Sequence, residues 1–163
     1  MPECPLIQIG HIVSPYNEQS GTPIQASFGE PLDAEVHIYP DFREGLTDLD
    51  RFSRIWLISW LDKSTSFNLK VIPYRDTVER GLFSTRAPRR PNPVGISSTQ
   101  LISVDIETGI LKIKGIDLLN GTPILDIKPY APRFDSHSEE TAGWLDKGSD
   151  AQTADDRFSN KET

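Results

Sequence analysis

Short runs rich in β-branched residues follow one another along most of the chain, and none has the length or spacing of a long amphipathic helix. Residues 6–13, 35–39, 68–72 and 123–128 each read as a short strand. Residues 54–61, Arg-Ile-Trp-Leu-Ile-Ser-Trp-Leu, are too bulky for an amphipathic helix and are expected to form a strand buried on both faces. Residues 94–104 and 110–116 flank a turn at 105–109 that Gly109 can close, as in a hairpin. Only residues 40–52 space their apolar side chains helically, at Phe42, Leu46, Leu49 and Phe52. Pro40 is tolerated at the start of such a helix, and Asp50 and Arg54 are placed for an i,i+4 pair. The fold class predicted is mainly β: a single β-barrel with one short helix. Residues 1–132 are assigned to the barrel and 133–163 to a polar, acidic C-terminal tail. That tail has only Phe134, Trp144, Leu145 and Phe158 as strong anchors and is expected to be mostly solvated.

The chain has 163 residues, enough for one buried core. Its net charge of −7 argues against a generic polyanion binder, although −4 of that sits in residues 132–163. No apolar run approaches the ~20 residues that span a bilayer, and the first residues do not resemble a signal peptide, so a cytoplasmic protein is expected. Cys4 is the sole cysteine, which excludes an internal disulfide, and it reads as an exposed terminal thiol. His11, His37 and His137 are scattered; the first two read as strand or surface residues, and no metal is expected. There is no G-x-G-x-x-G and no P-loop, so neither a Rossmann nor a Walker-type site is supported.

Two stretches stand apart. Residues 81–97 hold three prolines, two glycines and three arginines, a poor strand and an impossible helix. Pro88, Pro91 and Pro93 stiffen a loop that presents Arg86, Arg89 and Arg90, whose forks suit carboxylates and phosphates. The alternative is a rigid, salt-bridged surface loop. Residues 117–130 contain the tight-turn pair Asn120-Gly121, then Asp126, Lys128 and Tyr130 at every second position. On an extended segment these three share one face, as a site or as a satisfied polar network at a barrel rim.

On these stretches the sequence resembles the TsaA-like, or TrmO, family of tRNA methyltransferases. One family signature, G-[VL]-F-x-T-R-x-x-x-R-P-N-P-[IV]-G, is matched at 81–95, and a second, D-x-x-[DN]-G-T-P-[IV]-x-D-I-K-P-Y, at 117–130. Weaker agreement runs from about Ile9 to Asp62, so the likeness covers roughly the first 131 residues. The resemblance implies a non-Rossmann barrel that binds S-adenosyl-L-methionine, forms a homodimer and methylates N6 of threonylcarbamoyl-adenosine at tRNA position 37. It also implies the short archaeal-type form, without the extra C-terminal domain of bacterial members. By motif, Arg86 and the backbone at Ile96 are expected to line the cofactor pocket, with Leu119, Asn120, Gly121 and Thr122 as its turn. Pro23, Ile24 and Gln25 correspond to the family's P-x-Q element, with Ile24 where many relatives carry Arg; Asp62 and Lys63 stand where relatives often place His.

Adenine N6 is a poor nucleophile because its lone pair is delocalised, so loss of its proton has to be assisted. Asp126 and Tyr130 are the clustered candidates for that catalytic role, and Arg89, Arg90 and Lys128 for contacts to the RNA substrate. Two other readings stay open: a methyltransferase acting on another RNA or a small molecule, and a non-catalytic module that binds S-adenosyl-L-methionine or RNA.

Overall fold

The computed structural model describes residues 5–28 and 31–159; Cys4 lies outside them. Six strands close an antiparallel barrel: β1 (Gly10–Val13), β2 (Asp33–Ile38), β3 (Arg54–Trp60), β6 (Val94–Asp105), β7 (Ile110–Lys114) and β8 (Pro123–Pro129). Round the barrel the order is β1, β2, β7, β6, β3, β8 and back to β1. Two very short strands, β4 (Lys70–Val71) and β5 (Arg80–Gly81), pair beside it. The expected run 68–72 thus contributes only two residues of strand, outside the barrel.

Alternation fixes which side chains go inside. On β3, Ile55, Leu57 and Ser59 are buried, whereas Arg54, Trp56, Ile58 and Trp60 point outward and are only half-buried. The expectation of burial on both faces therefore fails: a closed barrel has one interior, and among the described residues the outer side of this strand is only partly covered. The core joins Ile12, Val36, Ile38, Ile55, Leu57, Leu111, Ile113 and Ile124, each at 3% exposure or less. β6 runs for twelve residues and serves both neighbours, with a register shift against β7 between Leu101 and Ser103.

The segment read as one helix is two 3₁₀ pieces, Pro40–Leu46 and Leu49–Arg51. Asp48, at φ 65° in the left-handed region, breaks any continuous ladder between them. Leu46 and Leu49 still reach the core, as the spacing requires. The Asp50–Arg54 pair does not form: Arg54 belongs to β3 and donates to the Ser98 carbonyl and hydroxyl, while Arg51 sits 3.8 Å from Asp48 on the surface. The one α-helical piece among the described residues is a single turn, α1 (Pro132–Asp135).

Much of the tail is exposed, but it is not simply solvated. Trp144 donates its ring N–H to the Ser84 carbonyl at 2.7 Å. Phe158 is buried in a second apolar cluster with Val71, Leu82 and Ala87, and meets the Tyr74 ring edge-on at 5.0 Å. Residue 153 forms a bridge to residue 23, flanked by backbone hydrogen bonds from Gly21 to Ala154, Ala154 to Thr22, and Ile24 to Gln152. No described helix is long and apolar enough to cross a membrane.

Candidate functional site

A cavity of about 410 Å³ opens where chain segments leave the barrel, a volume suited to a small organic ligand. Its walls come from residues 22–25, from 61–64 beyond β3, from 85–90, from the start of β6 and from the segment after β7. The two unusual sequence stretches thus meet in one place.

Local chemistry explains how each wall is held. Arg90 turns back on the proline-rich loop: its Nη1 lies 3.4, 3.1 and 3.5 Å from the Leu82, Thr85 and Ala87 carbonyls. Its guanidinium also lies over the Phe83 ring. Arg89 donates from Nε to the Phe158 carbonyl, from Nη2 to the Ser159 carbonyl and from Nη1 to the Ser66 hydroxyl, all at 2.9 Å. Both residues line the cavity, but as braces. Arg86, in contrast, donates to the Gln25 side-chain oxygen across the cavity wall.

Asp117 accepts a 2.5 Å hydrogen bond from the Ser97 hydroxyl. Burial pushes its carboxyl up to about 6, against the opposing pull of the Ser97 hydrogen bond, backbone donors and the Arg86 charge. Nearby, the Ser59 hydroxyl is fully buried and has no hydrogen-bond partner among the described residues. Gly95 lets β6 pass close to it: a Cβ there would lie 2.4 Å from Ser59 Oγ. Tyr74, another cavity residue, has its phenol pushed up by burial first and by the Asp155 charge second; Gln19 donates to its oxygen at 2.8 Å.

Of the residues expected from motif to hold a cofactor, Pro23, Ile24, Gln25, Asp62, Lys63, Arg86, Ile96, Leu119 and Thr122 line the cavity. Asn120 and Gly121 do not. Asn120 accepts from the Ser14 backbone and Gly121 donates to the Ile12 carbonyl, so the turn ties β8 to β1. Gly121 takes φ 82° there, where a side chain would be strained. Asp126, Lys128 and Tyr130 share one face as alternation requires, but that face is the outside of β8. Lys128 is 3.0 Å from Asp126, and Tyr130 lies against Trp56 with ring centroids 5.5 Å apart. None of the three lines the cavity. Sequence reasoning missed Asp117, Ser97, Tyr74, Ala154 and Phe158 as cavity residues. For Asp117 a signal existed, since it opens the second motif; for Ala154 there was none.

Among the described residues, no group of three or more His, Cys, Asp or Glu side chains could hold a metal ion. His11 and His37 face each other across β1 and β2, with His37 on Glu35 at 2.7 Å.

Comparison with known proteins is consistent in both sequence and fold. A probable S-adenosyl-L-methionine-binding protein of Pyrococcus abyssi is 45% identical over 139 residues, covering 85% of this chain and 74% of its own length. The human tRNA (adenine(37)-N6)-methyltransferase is 36% identical over 78% of this chain, which spans 30% of that enzyme. The crystal structure of TrmO from Pseudomonas aeruginosa superposes with a TM-score of 0.72 at 31% identity, over 87% of this chain and 62% of that one. The chain thus spans under two thirds of the crystallised TrmO and under a third of the human enzyme. The family model of the tRNA-methyltransferase O N-terminal domain matches residues 11–136, taking in the six barrel strands except Gly10 and both motifs that wall the cavity, and the chain belongs to that family.

Proposed function

We propose that this chain transfers a methyl group from S-adenosyl-L-methionine to N6 of threonylcarbamoyl-adenosine at position 37 of tRNA, beside the anticodon, in the cytoplasm. The observation that carries the reading is the convergence of Arg86, Gln25 and Asp117 on one cavity of ligand size. Those groups suit a zwitterionic amino-acid moiety: an arginine fork for a carboxylate, and a buried carboxylate for a cation. Tyr74, Pro88, Leu119 and Phe158 give apolar surface for the remainder. When bound, S-adenosyl-L-methionine supplies an electrophilic methyl group. The chain's part is to orient it, to exclude water and to assist loss of the N6 proton.

Asp126 and Tyr130 are proposed for that proton, and they point to a second copy of the chain. They stand on the outer face of β8, beside an outward strip of Trp56, Ile58, Trp60, Val94 and Ile96 on β3 and β6. Ile96 is 54% exposed and also lines the cavity, so the strip and the cavity are continuous. A homodimer across this strip would cover the exposed apolar side chains and carry each copy's Asp126–Tyr130 face toward an interface.

Threonylcarbamoylation makes N6 part of a ureido unit with a more acidic proton and adds a carboxylate for a basic side chain. Methylation is therefore expected on tRNA purified from cells and not on an unmodified transcript of the same sequence, with labelled methyl donor. Equal rates on both would overturn the substrate assignment in favour of another RNA. Donor binding with no S-adenosylhomocysteine released on any RNA would mark a binding module.

A further inference from the structure

The last described stretch of the chain lies beyond the family match, which ends at residue 136, yet it touches both candidate binding segments. Residues 152–154 pair with residues 21–24 through three backbone hydrogen bonds of 2.7–2.9 Å. Four residues on, Phe158 enters the apolar cluster under the arginine loop and Arg89 of that loop grips its carbonyl and the next. Between these anchors, Asp155 caps the short turn 156–158, and Arg157 is held on Asp155 at 2.6 Å and on the Pro73 carbonyl at 2.6 Å. Ala154, 8% exposed, and Phe158, 9% exposed, form part of the cavity wall itself. A segment anchored on each side and facing the cavity between is built as a wall.

We infer that residues 152–159 are a ligand-binding strap: Ala154 and Phe158 form one wall of the methyl-donor cavity, and Arg89 clamps the strap shut. This rests on the reading that the cavity takes S-adenosyl-L-methionine. Because the strap ties the Pro23–Gln25 wall to the Arg86 loop, docking of the strap and filling of the cavity favour each other. Ligand bound against Phe158 holds the strap down, and a loosened strap weakens the ligand. Arg89 thereby acts as a positioning residue within the chain.

The test combines titration calorimetry with S-adenosyl-L-methionine and S-adenosylhomocysteine with hydrogen exchange of the full chain. Phe158→Leu keeps an apolar anchor but removes the flat ring, and about tenfold weaker binding of both ligands is expected. Ala154→Leu leaves the anchors in place and intrudes on the cavity; it should weaken both ligands at least as much while the melting temperature holds. In the wild type, amides of residues 152–158 should exchange several-fold more slowly once ligand is added. Affinities within twofold of wild type in both variants, or strap amides indifferent to ligand, would overturn the inference. No binding by the wild type would instead overturn the methyl-donor reading, and the strap's ligand role with it.

Discussion

Replacing Asp117 by Asn isolates the electrostatic cost of the cavity in a single side chain. The carboxyl sits against Ser97 in the cavity wall, and burial raises it from an ordinary 3.8 to about 6. A raised carboxylate favours the protonated fold. Its contribution to stability is fully present below about pH 4 and is lost as pH climbs through about 6. The shift of about two units corresponds to roughly 3 kcal/mol at 1.36 kcal/mol per unit, an upper figure because the residue as a whole is only half-buried. Asn cannot ionise, so the variant lacks this dependence. Urea unfolding of both proteins at pH 4 and pH 7 should show the variant gaining up to ~3 kcal/mol on the wild type as pH rises. Every other carboxylate titrates alike in the two proteins and drops out of the comparison. Against that gain, the variant should bind S-adenosyl-L-methionine more weakly at pH 7 if, as proposed, this charge meets the ligand's cationic part. A stability difference that stays flat from pH 4 to pH 7 would refute the reasoning, whatever its absolute size.

Arg86→Ala removes the cavity's arginine fork and should weaken S-adenosyl-L-methionine by about ten- to a hundredfold in calorimetry; unchanged affinity would take Arg86 out of the site. Arg89→Ala should lower the melting temperature by several degrees while leaving the salt dependence of tRNA binding unaltered, because its donors are held by residues 66, 158 and 159. A salt slope reduced by roughly 0.7–0.9 would instead restore it as a phosphate contact. Ile58→Arg puts a charge into the outward apolar strip; if that strip joins two 18.3 kDa copies, sedimentation should show the variant as a monomer and the wild type as a dimer.

The barrel was legible because its signal is local. A strand facing one interior alternates, and β2, β3, β6 and β7 carry that alternation in their own residues. The short helix was not, since the same apolar spacing suits two 3₁₀ turns, and the break depends on the positive φ of Asp48. The strap was illegible for a different reason: Thr153 finds Pro23, and no property of a polar tail announces a partner at the other end of the chain.

In the arginine loop the structure adds main-chain partners that the order of the residues does not announce. Prolines stiffen residues 88–93, as read from the sequence, but each proline also removes a backbone donor and leaves a carbonyl that wants one. Arg90 turns back to the Thr85 and Ala87 carbonyls just before that stretch and adds a longer contact to the Leu82 carbonyl, and Arg89 holds two carbonyls of the strap. Two of the loop's three arginines are thus engaged with main chain. Arg86 escapes this use because the Thr85 hydroxyl serves its own turn, donating to Leu82 at 2.7 Å and accepting from Ala87 at 3.3 Å. Its guanidinium is left to meet Gln25 at the cavity, where an incoming carboxylate can compete for it.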